Sequence, residues 1–305
     1  MRVRKSSVSI IWVTAIFALW LLVCSIGWSQ DASTPEKSSY LDAYTGAGAE
    51  QIGSEQCLAC HPDRTPKSLI SHVSLIDRDK GNPNYGYGCE GCHGPGGAHN
   101  GDISGIIQPA KLDTGDAVKL CSKCHSDLRS FNLQEWNLSE HSYADLSCLA
   151  CHSGHSEYKY FLVKDEKIEV CFQCHLEKRA ELNMRSHHPV EEGQISCVSC
   201  HNPHSGRFER QLRDEVDRLC FECHGDKEGP FAYDHDVDQA SGGEGCLTCH
   251  FVHGSNTDNL LKYPQRLCLE CHSEMGRGNH FPGTCWASGC HSEIHGSYSN
   301  SLFLR

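Results

Sequence analysis

The sequence has 305 residues, a formal net charge of −12, 21 cysteines and 21 histidines. So acidic a chain repels the phosphate backbone of nucleic acids, which argues against a nucleic-acid partner. This many cysteines and histidines in one chain points instead to metal or cofactor chemistry.

The chain begins with the pattern of a secretory signal peptide. Basic residues within the first five positions precede an apolar run at residues 10–24, and small residues follow. We predict cleavage after Ser29, so that residues 1–29 are removed and the mature protein is periplasmic. Two alternatives remain open. One is an uncleaved anchor, for which the run is short. The other is acylation of Cys24, where the preceding Val23 is bulky for a lipoprotein signal.

Residues 30–52 are predicted to be a flexible lead-in. They are rich in small, polar and charged residues and hold no cysteine. Such a composition offers little apolar surface to bury, so it does not fold by itself.

The motif Cys-x-x-Cys-His then occurs nine times, and a stretched copy, Cys-x4-Cys-His, ends the series. Two thiols one helical turn apart can add to the two vinyl groups of one haem, while the histidine binds the iron as proximal ligand. We therefore predict ten covalently attached c-type haems. The haem-binding cysteines would be Cys57, Cys60, Cys89, Cys92, Cys121, Cys124, Cys148, Cys151, Cys171, Cys174, Cys197, Cys200, Cys220, Cys223, Cys246, Cys249, Cys268, Cys271, Cys285 and Cys290. The proximal ligands would be His61, His93, His125, His152, His175, His201, His224, His250, His272 and His291.

This pattern accounts for nearly every cysteine. The ten motifs use twenty of the 21, and Cys24 lies in the predicted signal peptide. No thiol remains for a disulfide framework, and zinc chemistry does not require a histidine after every second cysteine. The pattern therefore favours haem over a zinc-rich or disulfide-rich secreted protein. Export agrees with it, because c-type haem is attached outside the cytoplasm.

The motifs alternate between two types and so form an internal repeat. One type follows an aliphatic residue, and the other is followed by a second histidine and a turn, with a period of about 49 residues. With ten haems in a chain of this length, the haems supply most of the buried apolar surface. We predict a multihaem cytochrome c fold: an elongated string of two-haem modules, with short α-helices and coil wrapped around ten haems and almost no β-structure.

Local composition refines this picture. Residues 163–186 and 209–227 have helix-forming composition. Clusters of Gly, Pro, Asn and Ser predict loops at Gly94–Gly97, Asn202–Gly206 and Gly254–Asn256.

The histidines outside the motifs match the number of distal ligands that ten irons need. Eleven remain, and only His187 and His188 are adjacent. Two neighbouring side chains are poorly placed to bind two irons, and we prefer His188 because Pro189 stiffens the backbone after it. The predicted distal ligands are His72, His99, His141, His155, His188, His204, His235, His253, His280 and His295.

Several of these histidines lie too close to a proximal ligand to share its iron. His155, His204 and His253 follow their motif histidine by three residues and His295 by four, so each is expected to bind the haem of another motif. Methionine is rare, which argues against His/Met ligation. Irons with two histidine ligands have no open position, so we predict electron transfer and no catalytic residues.

Several stretches of the sequence carry a family resemblance. They are CEGCHGPGGAHN (89–100), RSHHPVEEGQISCVSCHNPHSG (185–206), CFECHGDKEGP with Asp234-His235 downstream, CLTCHFVHGSNTDNLLKYPQRLCLECH (246–272) and the final CHSEIHGS. Over about residues 54–305 the chain resembles the MtrA/DmsE-type periplasmic decahaem c-type cytochromes, which include the PioA and MtoA proteins.

The resemblance implies ten bis-histidine haems in two pentahaem halves, residues 53–180 and 181–305. Matched residue by residue, it puts distal ligands on His72, His99, His141, His155, His188, His204, His235, His253 and His295, and it does not require His187. His280 matches least well, because the segment before the last haem is shorter here. The stretched motif from Cys285 to Cys290 also departs from the family, although some tetrahaem cytochromes use that spacing.

The resemblance also implies partners. These are a porin-like outer-membrane β-barrel of the MtrB type, periplasmic or inner-membrane cytochrome donors, and an extracellular multihaem cytochrome or terminal reductase. The predicted function is an electron conduit across the outer membrane. One alternative is a soluble periplasmic shuttle or a filament-forming cytochrome. Another is a multihaem reductase, which would keep one haem five-coordinate, often through Cys-x-x-Cys-Lys; that motif is absent.

Overall fold

The computed structural model describes residues 44–64, 88–128, 131–164, 167–237, 244–263, 267–276, 285–286 and 290–304. The predicted signal peptide, His72 and His280 lie outside these ranges. Within them the longest helix has nine residues. None of the helices in this part of the chain combines the length and apolarity that a bilayer span needs.

The helices are short, as the composition predicts. Several begin at a side-chain cap: Asp113 accepts a hydrogen bond from the backbone N–H of Asp116 at 2.8 Å, and Ser139 accepts one from Ser142 at 3.1 Å. Helices this short do not persist alone, so they depend on tertiary or cofactor contacts. In the described residues they are α1 (Ser54–Cys60), α2 (Glu90–His93), α3 (Thr114–Ser122), α4 (Leu133–Asn137), α5 (Glu140–Tyr143), α6 (Lys167–Phe172), α7 (Leu176–Leu182), α8 (Cys197–Cys200) and α9 (Val216–Phe221).

Short 3₁₀ turns take up much of the remaining chain. They are Pro62–Arg64, Gly96–Ala98, Ile103–Gly105, Pro109–Lys111, Cys148–Ala150, Lys159–Phe161, Glu209–Gln211, Gly225–Lys227, Gly245–Thr248, Asp258–Leu260, Leu267–Glu270 and Ser273–Gly276. Several motifs lie on such turns instead of on an α-helix.

The described β-structure consists of two-residue strands in three antiparallel ladders. The strands are β1 (Asp127–Leu128), β2 (Phe131–Asn132), β3 (Ser186–His187), β4 (Tyr233–Asp234), β5 (Gly254–Ser255) and β6 (Gly296–Ser297). β1 pairs with β2, β3 with β5, and β4 with β6. The last two ladders join segments that are more than sixty residues apart, so they tie neighbouring repeats together.

The strand β5 corrects one sequence expectation. Residues 254–256 were expected to be a loop, but Gly254 and Ser255 pair with β3. A Cβ on Gly254 would lie 1.7 Å from the carbonyl oxygen of Glu181. The absence of a side chain therefore lets this backbone approach the end of α7, a contact between distant segments that composition does not reveal.

The protein core is small, as expected for a chain that folds around cofactors. Among the described residues, only seven apolar side chains are buried: Ile107, Ala117, Trp136, Phe172, Leu182, Leu219 and Leu261. Large apolar side chains such as Leu138 and Leu176 are mostly exposed.

A buried carboxylate holds the end of the predicted lead-in. Glu90 is 6% exposed and accepts backbone hydrogen bonds from Ile52 and Gly53 at 2.9 Å and from Gly96 at 2.8 Å. A buried charge needs such partners. The last residues of the segment expected to be flexible are therefore fixed against the second motif, through a contact that its polar composition does not indicate.

We expect Gly206→Ala to destabilise the protein. A Cβ at this position would lie 1.9 Å from the carbonyl oxygen of Leu138, at the junction of α4 and α5. The backbone must move apart, at a cost of about 1–3 kcal/mol. Gly154→Ala is the control, because nothing lies within 4 Å of its Cβ. Thermal unfolding of the haem-loaded protein should show a lower Tm for Gly206→Ala only, and equal Tm values would contradict the contact.

Candidate haem-binding sites

Every motif has the same backbone hydrogen bond. The N–H of its histidine donates to the carbonyl oxygen of its first cysteine, at 2.8–3.2 Å in all ten motifs. In the regular motifs this bond closes one turn of chain, so both thiols and the histidine project from that turn. The stretched motif makes the same bond, from His291 to Cys285, although it contains two more residues.

Eight motif histidines lie opposite a histidine from outside the motifs. The ring centroids are 5.9–6.3 Å apart in each pair. The pairs are His61 with His99, His93 with His155, His152 with His204, His175 with His141, His201 with His253, His224 with His188, His250 with His295, and His272 with His235.

This spacing fits a metal ion between the two rings. Metal–imidazole bonds of about 2.0 Å on opposite sides leave the ring centroids roughly 6 Å apart. Ordinary aromatic packing also covers such distances. Packing alone, however, does not explain why each of the eight pairs joins one motif histidine to one predicted distal ligand. The residues therefore fit six-coordinate haem iron.

Backbone carbonyls fix the ring orientation of several motif histidines. Each donates an Nδ1–H bond to a carbonyl eight or nine residues later: His152 to Tyr160, His201 to Arg210 and His250 to Asn259, at 2.8–2.9 Å. The three acceptor residues have φ values of 61°, 56° and 59°, so a left-handed turn aims each carbonyl at the ring. Since Nδ1 is occupied, Nε2 is available for a metal.

A second repeated arrangement holds distal histidines. Their Nδ1 atoms bond the carbonyl of the residue just before a second histidine: His141 bonds Pro203, His188 bonds Val252 and His235 bonds Ile294. Sequence reasoning missed these carbonyls and those of the left-handed turns. The second histidine that follows these motifs closely in sequence was a signal for the carbonyls of this second set, because each carbonyl belongs to the residue just before it.

His187 has no ring nitrogen left for a metal. Its Nδ1 donates to the carbonyl oxygen of Met184 at 2.6 Å, and its Nε2 bonds the carboxylate of Glu192 at 2.9 Å. Glu192, with a smaller effect from Met184, raises the pKa of His187. An imidazole that donates from both nitrogens is protonated and cannot be a ligand.

Burial keeps several of the other imidazoles neutral. It lowers the pKa values of His125, His155, His250, His253 and His295 below the ordinary value for histidine. Neutral imidazole is the form that binds metals, so the environment favours ligation.

The first thiols of the motifs lie together in pairs. Numbering the haem sites 1–10 in chain order, a side-chain hydrogen bond joins the first cysteines of sites 1 and 2, 3 and 4, 5 and 6, 7 and 8, and 9 and 10. These are Cys57 with Cys89, Cys121 with Cys148, Cys171 with Cys197, Cys220 with Cys246, and Cys268 with Cys285.

The second thiols connect these pairs to one another. In each case burial, and then the charge of a neighbouring motif's thiol, raises the pKa of a second cysteine. The neighbours are Cys92 and Cys124, Cys151 and Cys174, Cys200 and Cys223, and Cys249 and Cys271. Together the two kinds of interaction bring each motif within electrostatic range of the next in sequence order.

Comparison with known proteins agrees with these motifs. A family model for the doubled CXXCH motif matches residues 141–180, 187–229 and 239–277. The multihaem cytochrome MtrA of Shewanella baltica strain OS185 is 37% identical over 149 residues, which are 47% of this chain and 44% of that protein. Over this match the chain is similar to an MtrA-type multihaem cytochrome. It spans less than half the length of this relative in the match.

A solved structure is also similar in sequence. The undecahaem cytochrome from the S-layer of Carboxydothermus ferrireducens is 26% identical and covers 49% of this chain and 25% of its own, with a TM-score of 0.12. So low a score supports no argument about fold. The motifs and relatives indicate covalently bound c-type haems and imply electron transfer. The described helices and strands, together with the motifs, confirm the predicted fold class of short helices with little β-structure.

We expect adjacent histidines 187 and 188 to respond oppositely to replacement. His188→Ala removes the ring opposite His224 and should convert one low-spin ferric haem to high spin, visible by electron paramagnetic resonance. His187→Ala removes only the bonds to Met184 and Glu192, so every haem should stay low-spin. A high-spin signal from the His187 variant, or none from the His188 variant, would contradict the ring geometry.

Proposed function

We propose that this cytochrome is a periplasmic decahaem protein that conducts electrons across the outer membrane. The observation that carries the proposal is the series of ring pairs. The histidines that lie opposite sites 2, 4, 6 and 8 follow motifs 4, 6, 8 and 10, so each even-numbered site is joined to the next. Bound haem supplies a centre that takes up and releases one electron. Motifs joined in this way hold such centres near one another along the chain.

The paired rings support bis-histidine ligation at sites 1, 2 and 4–9. At sites 5, 7 and 9 the partner histidine lies before the preceding motif in the sequence: His141, His188 and His235. The same relation assigns His72, which lies before motif 2, to His125 of site 3. His280 is then left for His291 of site 10. The proposal therefore uses the whole predicted set of proximal and distal ligands.

Two histidines at every iron leave no position for a substrate. The chain's imidazoles thus act to hold and orient the cofactors, and we propose an electron carrier without catalytic residues. The proposal keeps two halves of five sites, residues 53–180 and 181–305. Each half offers several sites from which an electron can leave toward a partner.

Location and partners follow from the relationship to MtrA and from the N-terminal segment. Export by residues 1–29 delivers the chain to the periplasm, where cytochrome donors are available. A porin-like β-barrel would surround the chain at the outer membrane and separate it from lipid. An extracellular multihaem cytochrome or a terminal reductase would exchange electrons at the far end.

Haem counting tests the cofactor part of the proposal. The exported protein should contain ten haems per polypeptide. The double variant Cys285→Ala/Cys290→Ala should contain nine, because site 10 lies at the end of the thiol series and its loss leaves the other sites intact. Pyridine haemochrome absorbance against protein concentration gives the ratio. Nine haems in both proteins would show that the stretched motif binds none.

Affinity purification tests the conduit. Tagged protein from gently solubilised outer membranes should bring down a β-barrel protein in stoichiometric amount, identified by mass spectrometry. The same tagged protein from periplasmic extract is the control, and should yield little free cytochrome. Recovery mainly as free protein or as long fibres would favour the shuttle or the filament instead.

A further inference from the structure

The hydrogen-bond acceptor at the distal histidine His253 is a carboxylate, whereas those at His99, His141, His188 and His235 are backbone carbonyls. In the described part of the chain, nine paired or motif histidines have an Nδ1 bond to a backbone carbonyl: His93, His99, His141, His152, His188, His201, His235, His250 and His291. His253 instead bonds a carboxylate, with 3.1 Å between its Nδ1 and Oε2 of Glu181.

The fold builds this contact from two distant segments. Glu181 lies near the end of α7, and His253 immediately precedes β5, 72 residues later. The backbone at Gly254 approaches the Glu181 carbonyl oxygen so closely that a Cβ there would lie 1.7 Å from it. This approach brings the His253 imidazole to the end of α7. Both side chains are about one-third exposed, so the bond is partly shielded from water.

A carboxylate acceptor changes the electronic character of a ligand. It draws the Nδ1 proton more strongly than a carbonyl does, so that Nε2 becomes a better electron donor to a metal. Stronger donation favours the oxidised form of the iron and lowers the reduction potential. Lys178 moderates this effect, since its Nζ lies 2.8 Å from the other carboxylate oxygen of Glu181.

We infer that Glu181 tunes the haem site of His201 and His253 to a lower reduction potential than a carbonyl acceptor would give. The inference rests on the proposed function, in which His253 is the distal ligand of site 6. Cys171 of site 5 and Cys197 of site 6 interact directly, and Cys200 of site 6 lies within electrostatic range of the thiols of site 7. Lowering that potential makes site 6 a less favourable place for an electron than it would be with a carbonyl acceptor.

Two substitutions should shift the potential of site 6 in opposite directions. Glu181→Gln keeps an oxygen that can accept the hydrogen bond but removes its charge, so the potential of one haem should rise. Lys178→Met removes the competing cation and should lower the potential of the same haem. Spectroelectrochemical titration of the ten-haem protein measures both. Electron paramagnetic resonance should show changed g values for one low-spin haem in each variant.

Glu192→Gln is the matched control. It also removes a carboxylate that bonds a histidine, but that histidine is His187, which has no nitrogen left for a metal. Its titration and g values should match the unaltered protein. Unchanged spectra and potentials in both the Glu181 and Lys178 variants, or shifts in the same direction, would mean that Glu181 only positions the ring and would overturn the inference. If Lys178→Met fails to fold, Glu181→Gln still decides, because it alters the acceptor itself.

His253→Ala separates this inference from the proposed ligand assignment. If it produces one high-spin ferric haem while the Glu181 and Lys178 variants show no shift, the ligand assignment stands and the tuning is wrong. If it leaves all haems low-spin, the assignment itself fails at site 6, and the tuning fails with it.

Discussion

The structure depends on pairs of imidazole rings held about 6 Å apart, the distance at which a single iron can bond both. Each of the eight described pairs joins a motif histidine to one from a different part of the chain. These pairs connect distant segments of a chain in which few of the described apolar side chains are buried. Cofactor binding and folding are therefore one process in this account.

The thiol contacts add order to these pairs. First cysteines pair within each two-site module, and ring pairs such as His93 with His155 join one module to the next, so neighbours in sequence are also neighbours in space. An array of this kind needs no large core, because each module stabilises mainly the next one. The same arrangement provides a single path for electrons, and so the repeat is at once the architecture and the proposed mechanism.

Much of this arrangement could be predicted because haem attachment imposes a fixed spacing. The motif residues, the short helices and the shortage of β-structure all follow from Cys-x-x-Cys-His and from composition. The exclusion of His187 agrees with the engagement of both its nitrogens. The ring partners could not be predicted, because histidines such as His155 and His253 pair with the proximal histidine that lies two motifs earlier in the chain. Nor could the contact of Glu90 with residues 52 and 53, or β5, since these depend on close approach of distant backbone.

The most direct test is an experimental structure of the haem-loaded protein, by crystallography or electron cryomicroscopy. The account predicts an iron between the rings of each of the eight described pairs, and haems that follow one another in the order of their motifs. An iron with one protein ligand, a pair such as His201 and His253 without an iron, or haems adjacent out of sequence order would contradict it.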